Sequence, residues 1–178
     1  MKLTTHKTLQ AAMFIALAVI LPLAFHMVRV GGPVILPMHI PVILAGFISG
    51  PLVGALVGII SPIISFLLTG MPPLAPLPIL ITMIFELAAY GAVTGLLYSS
   101  TQKIYPSLIG GMIAGRITLG LTVWVLMQVF GFTQLPGAAL FVQGAIVTGL
   151  PGIVLQLILI PLVLIRLKNA LPELSKKG

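Results

Sequence analysis

The chain has no cysteine among its 178 residues, which excludes disulfides, zinc–thiolate sites and thiol nucleophiles. Acidic side chains are almost missing too: there are 2, Glu86 and Glu173. An intramembrane hydrolase needs paired carboxylates or a nucleophile beside a base, and a proton pump needs a chain of titratable groups. A single acid inside an apolar segment provides neither. Aromatic residues make up 7% and charged residues 6% of the chain. No G-x-x-x-x-G-K-[ST] motif occurs, so the chain carries no phosphate-binding loop of its own.

What remains is apolar. The hydrophobic share is 59% and the mean hydropathy +1.25. A soluble domain of this length cannot bury that much apolar surface. The apolar runs are continuous, which rules out an alternating outer-membrane barrel and leaves a helical integral membrane protein. The net charge of +7 comes from basic residues that flank the runs. That is a topology signal and not a nucleic-acid stripe.

A vertical crossing takes about 20 apolar residues. The sequence predicts six transmembrane helices in a single domain, 1–178, at roughly 9–27, 38–49, 51–69, 77–98, 107–130 and 138–167, with a polar tail at 168–178. The first has a basic start but no small-x-small cleavage site, and reads as a retained helix rather than a signal peptide. The second is short for a crossing. Gly50-Pro51 separates it from the third, and a loop with Pro72, Pro73, Pro76 and Pro78 precedes the fourth. Pro151 and Pro161 predict kinks in the sixth. Lys2, Lys7, Lys103, Arg166, Lys168, Lys176 and Lys177 fall on the side of the termini, and only Arg29 on the other. The positive-inside rule then places both termini in the cytoplasm, with outer loops at 28–37, 70–77 and 131–137.

Within that topology two charges stand deep in the membrane. Glu86 and Arg116 each lie nine residues from the start of an antiparallel neighbouring helix, about 13–14 Å from the surface. A Glu86–Arg116 ion pair neutralises both. It reads as a structural pair or as a ligand or proton site. A lone buried charge is worse than none, so Arg116→Ala is expected to cost more folding yield than Glu86→Ala or a double neutral substitution.

Further polar and adaptable residues fall on the outer side: His26, His39, Met71, Thr82, Met83, Trp124, Gln128, Gln134 and Gln143. Each has a plain alternative. Trp124 fits an interface belt, the histidines can bond loop backbone, Gln143 can bond between helices, and the methionines can be packing. Their convergence from several helices predicts a small-molecule pocket that opens outward, with His26, His39, Met71, Met83, Arg116, Trp124, Gln128 and Gln143 as candidate ligand contacts. Ala12 and Ala16, one turn apart, form a smooth groove for another helix.

Certain stretches resemble a known family. These are Pro37-Met38-His39-Ile40-Pro41-Val42, Ala45-Gly46-Phe47, Gly50-Pro51, Ser61-Pro62, Gly70-Met71-Pro72-Pro73, Phe85-Glu86-Leu87-Ala88, Tyr90-Gly91 and Ala114-Gly115-Arg116. With six helices and about this length, the chain resembles the substrate-binding S components of energy-coupling factor (ECF) vitamin transporters over roughly 9–167. The resemblance implies a subunit of the bacterial plasma membrane that is not an enzyme and holds no cofactor. It implies vitamin capture from outside with the first and second outer loops as gates, docking to a transmembrane T component through Ala12 and Ala16, two partner ATPases, and toppling to carry the site inward. The chain looks more like the pantothenate and riboflavin branch than the thiamine or biotin branches. Few aromatics argue against a flat-ring ligand, and an embedded arginine suits a small acid, so pantothenate is the expected ligand. Riboflavin, cobalamin and queuosine precursors stay open, as does a stand-alone proton-coupled carrier that uses Glu86.

Overall fold

The structure is a computed structural model that describes residues 5–27 and 32–170, the side chains of 26, 27, 32, 33 and 170 excepted. It is all-helical, with no strand among the described residues. The order is α1 (Thr5–Met27), α2 (Gly32–Ile35), α3 (His39–Ser49), α4 (Pro51–Thr69), α5 (Ile79–Thr101), α6 (Ile104–Gln128) and α7 (Ala138–Ala170). Five of them are long and apolar enough to cross a membrane: α1, α4, α5, α6 and α7. The short α3 has 11 residues and cannot cross vertically by itself.

Several boundaries shift by one to four residues from the sequence reading, and those between α5 and α6 have a local reason. The polar turn expected over 99–106 shrinks to Gln102 and Lys103. Ser99 and Ser100 hydroxyls donate to the Leu96 carbonyl and Thr101 to Leu97, so these polar residues stay inside α5. Pro106 sits in the first turn of α6, where its missing N–H leaves no bond unmade. The stretch 32–35, expected as loop, also forms one turn of helix, α2.

Glycine sets how α3, α4 and α5 meet. Gly50, at φ 91°, lets the chain reverse between α3 and α4 with Pro51 opening the second helix. Gly54 on α4 then faces Gly91 on α5, Gly58 faces Leu87, and Gly95 of α5 meets Pro51 and Gly46. A Cβ placed on Gly54 would stand 2.5 Å from the Gly91 carbonyl oxygen, one on Gly58 2.5 Å from that of Leu87, and one on Gly95 2.6 Å from the Pro51 nitrogen. These neighbours are all backbone. Helices this close gain dispersion and weak C–H···O contact, the main sources of attraction where lipid is as apolar as leucine.

The side-chain core fills in around this seam. Val42, Ala45, Val53, Val57 and Leu87 pack beside Ala18 of α1. Ile43, Phe47, Tyr90, Leu108 and Ile160 tie α3, α5, α6 and α7 together. Outward-facing residues are apolar as well: Met13 and Ile20 on α1, Ile117 and Leu121 on α6, and Ile158 and Leu162 on α7 are all more than half exposed. Water would penalise such faces, whereas lipid does not.

The ends of the bundle are fixed by cross-links. Ser49 at the end of α3 donates to Gln10 near the start of α1 at 2.9 Å. Lys168 near the end of α7 lies 5.2 Å over the ring of Tyr98, near the end of α5. The start of α1 and the ends of α3, α5 and α7 therefore share one end. The Pro-rich loop, with cis peptide bonds before Pro72 and Pro76, belongs to the other.

Candidate functional site

At this loop end the helices separate around a cavity of about 590 Å³. Each wall follows helical periodicity. From α5 come Ile79, Thr82, Met83 and Glu86, at steps of three and four, so one face lines the space. From α7 come Leu140, Phe141, Gly144, Ala145 and Thr148, again one face. Arg116 and Leu119 face it from α6, Ser65 and Thr69 from α4, and Pro22 and Leu23 from α1. Met71, Pro72 and Pro73 close it from the loop.

The start of α3 brings the remaining wall. Leu36 stands at φ 53°, a left-handed conformation that a branched residue adopts only under constraint. Its carbonyl accepts from the His39 backbone N–H at 3.1 Å, which starts α3 and seats the imidazole at the cavity.

The polar group at the cavity is compact. Arg116 Nη1 donates to Glu86 Oε1 at 2.7 Å. His39 Nε2 stands 3.7 Å from the same oxygen, beyond hydrogen-bond range. The imidazole meets the Tyr90 ring edge-on, with centroids 4.9 Å apart and planes at 88°. His39 is 3% exposed and Glu86 4%. Arg116 Nε and Nη2 have no hydrogen-bond partner, and neither has either ring nitrogen of His39. A guanidinium has five N–H donors, so most of this one is unspent. Such a group, half committed to one carboxylate, is equipped to receive a second acceptor. Arg116 also borders a second, apolar cavity of about 650 Å³ between α6 and α7.

Of the residues named from the sequence, the structure brings His39, Met71, Met83, Glu86 and Arg116 to the cavity, with Thr82 beside them. It does not bring Trp124, Gln128 or Gln143 there. Trp124 is 54% exposed on α6, and Gln128 and Gln143 are exposed as well. Gln134 is exposed in the loop after α6. His26 closes α1, but its side chain lies outside the described residues. Ala12 and Ala16 are exposed on the outer face of α1. Sequence reasoning passed over Phe141 and Thr148. They lie seven residues apart and so share a face of α7, yet the few polar residues of this helix do not mark that face: Gln143 is exposed and Gln156 is buried.

The model of one protein family, described as ECF transporter, substrate-specific component, matches residues 8–164. No curated protein and no solved structure matches the chain.

Proposed function

From the chain's place in the ECF transporter substrate-specific component family, to which it belongs, we propose that it captures a small carboxylate-bearing vitamin, pantothenate first among them, in the cavity beneath the Pro-rich loop. A member of this family is a transport subunit and not an enzyme, and the five long apolar helices make it a multi-pass membrane protein. The ligand class rests on one observation: the unspent donors of Arg116 at the cavity. Planar guanidinium matches carboxylate geometry and holds it with two parallel bonds.

The rest of the cavity supports the same reading. Its described lining includes two aromatic rings, Phe141 and His39, which is thin support for stacking a broad flat ring. Met38, Met83, Leu119 and Leu140 offer an apolar wall for branched aliphatic carbon, and Thr82 and Glu86 offer acceptors for hydroxyl or amide hydrogens. The distribution of lysine and arginine supports cytoplasmic termini and a cavity that faces outward. The loops at 28–37 and 70–77 then act as gates. Delivery runs through a transmembrane T component powered by two ATPases, and the exposed small-residue face at Ala12 and Ala16 is the docking surface.

Gentle purification followed by mass spectrometry of the retained small molecule tests the ligand. Pantothenate is the expected finding, and a flavin or a corrinoid in its place overturns it.

A further inference from the structure

We propose that this site binds a monoanion together with a proton, with Arg116 passing from Glu86 to the ligand carboxylate while His39 takes up the proton and becomes the new counter-ion of Glu86. The inference rests on the reading of the ligand as a small carboxylic acid. It adds how the site keeps its charge in balance.

The charge count comes first. At the cavity one carboxylate faces one guanidinium, and an imidazole stands by. The ion pair is neutral by itself. Glu86 is the one acid among the described residues, so no second acid shares the load. An entering monoanion that engages Arg116 leaves the site at −1, inside a wall that is almost wholly apolar. Uncompensated charge in such surroundings is strongly disfavoured. A proton that enters with the ligand restores neutrality.

Geometry selects His39 as the acceptor. Its Nε2 is 3.7 Å from the Glu86 oxygen that now holds Arg116, close enough for a small adjustment to make the bond. Both its ring nitrogens are buried and unpartnered, so nothing else competes for it. Facing His39 are Glu86 and Tyr90 from α5 and Arg116 from α6. Helix α4 carries no titratable residue. His6 and Lys7 of α1 and Arg166 and Lys168 of α7 lie at the far end of the bundle. The remaining titratable group at the loop end of α1 is His26. The exchange balances: one carboxylate and one proton enter from water, the Arg116–Glu86 bond gives way to Arg116–ligand and His39–Glu86, and the site stays neutral.

Calorimetric titration of pantothenate into the purified protein, repeated in buffers of different ionisation enthalpy, counts the protons. Uptake should approach one per ligand at pH 7.5. Between pH 7 and 8 the Kd should weaken about tenfold, as one linked proton requires. Pantothenol, the neutral alcohol with the same skeleton, should bind without proton uptake and without this pH dependence. His39→Gln should abolish uptake, and His6→Gln, at the far end of the bundle, should retain it. Pantothenate binding with no proton uptake overturns this inference and leaves the ligand reading standing. So does uptake that survives His39→Gln or that pantothenol reproduces. Failure of pantothenate to bind overturns both. The proton count on the unsubstituted protein stands even if His39→Gln does not fold.

Discussion

Glu86→Gln keeps the shape of the side chain and its bond to Arg116 but removes the charge. Arg116→Met does the converse, and the two halves of the pair should not fail equally. A guanidinium stays charged at any working pH, since neutralising it at pH 7 costs more than about 7 kcal/mol. With Glu86 replaced, Arg116, whose side chain is 11% exposed, has no acid left among the described residues. The loss of one partner from a buried pair runs to about 3–5 kcal/mol. A stranded carboxylate has cheaper exits. It takes a proton itself, or one settles on a neighbouring imidazole, and a guanidinium has neither route. His39 Nε2, 3.7 Å away, makes the second exit available. Arg116→Met should then cost about 1–2 kcal/mol, and Glu86→Gln about 2–3 kcal/mol more. At roughly 2–4 °C per kcal/mol this gap is about 5–10 °C in Tm for a chain of this size. Thermal unfolding in detergent reads it directly, with the double variant expected above Glu86→Gln. This order reverses the one expected from the sequence, because His39 stands where the stranded carboxylate needs it. Equal Tm values, or a more stable Glu86→Gln, would overturn this order.

Gly54→Ala and Gly91→Ala should each cost about 1–3 kcal/mol or more, because the added carbon meets backbone that cannot yield. Gly144→Ala, where a Cβ meets nothing, should be neutral or gain up to about 1 kcal/mol, and thermal unfolding separates the two classes. Ala12→Trp and Ala16→Trp should leave ligand affinity intact and abolish uptake into cells, since both positions are exposed on α1 away from the cavity. Lost affinity would remove the docking assignment. Trp124→Leu, Gln128→Ala and Gln143→Ala should hold Kd within about threefold, while Met83→Ala should weaken it about tenfold through lost apolar contact, both read by calorimetry.

Level along the bundle was legible in the sequence, and rotation about each helix axis was not. Glu86 and Arg116 could be set at one level by counting residues from helix starts, and they stand 2.7 Å apart. The same counting put Trp124, Gln128 and Gln143 on the loop side, but the structure turns all three away from the cavity. In a soluble helix a polar face and an apolar face would have announced the rotation. Helices apolar all round carry no such signal. The glycine seam had a visible half: four-residue spacing at Gly46, Gly50, Gly54 and Gly58, and again at Gly91 and Gly95. Which helix would press against which was not written in that spacing. Likewise the one-turn α2 and the strained Leu36 arise from how the chain must enter α3, a tertiary demand invisible in local composition.

The seam between α4 and α5 also bears on how such a subunit can change its cargo. An interface in which backbone touches backbone has no side chains to trade, so it offers evolution almost nothing to adjust piecemeal. His39 and Glu86 sit on helices locked into that seam. Across the cavity, Leu140, Phe141 and Thr148 of α7 and the residues of the Pro-rich loop form a wall made of exchangeable side chains. A redesign towards a new ligand would therefore keep the α3–α5 side as a fixed jig and recut the opposite wall.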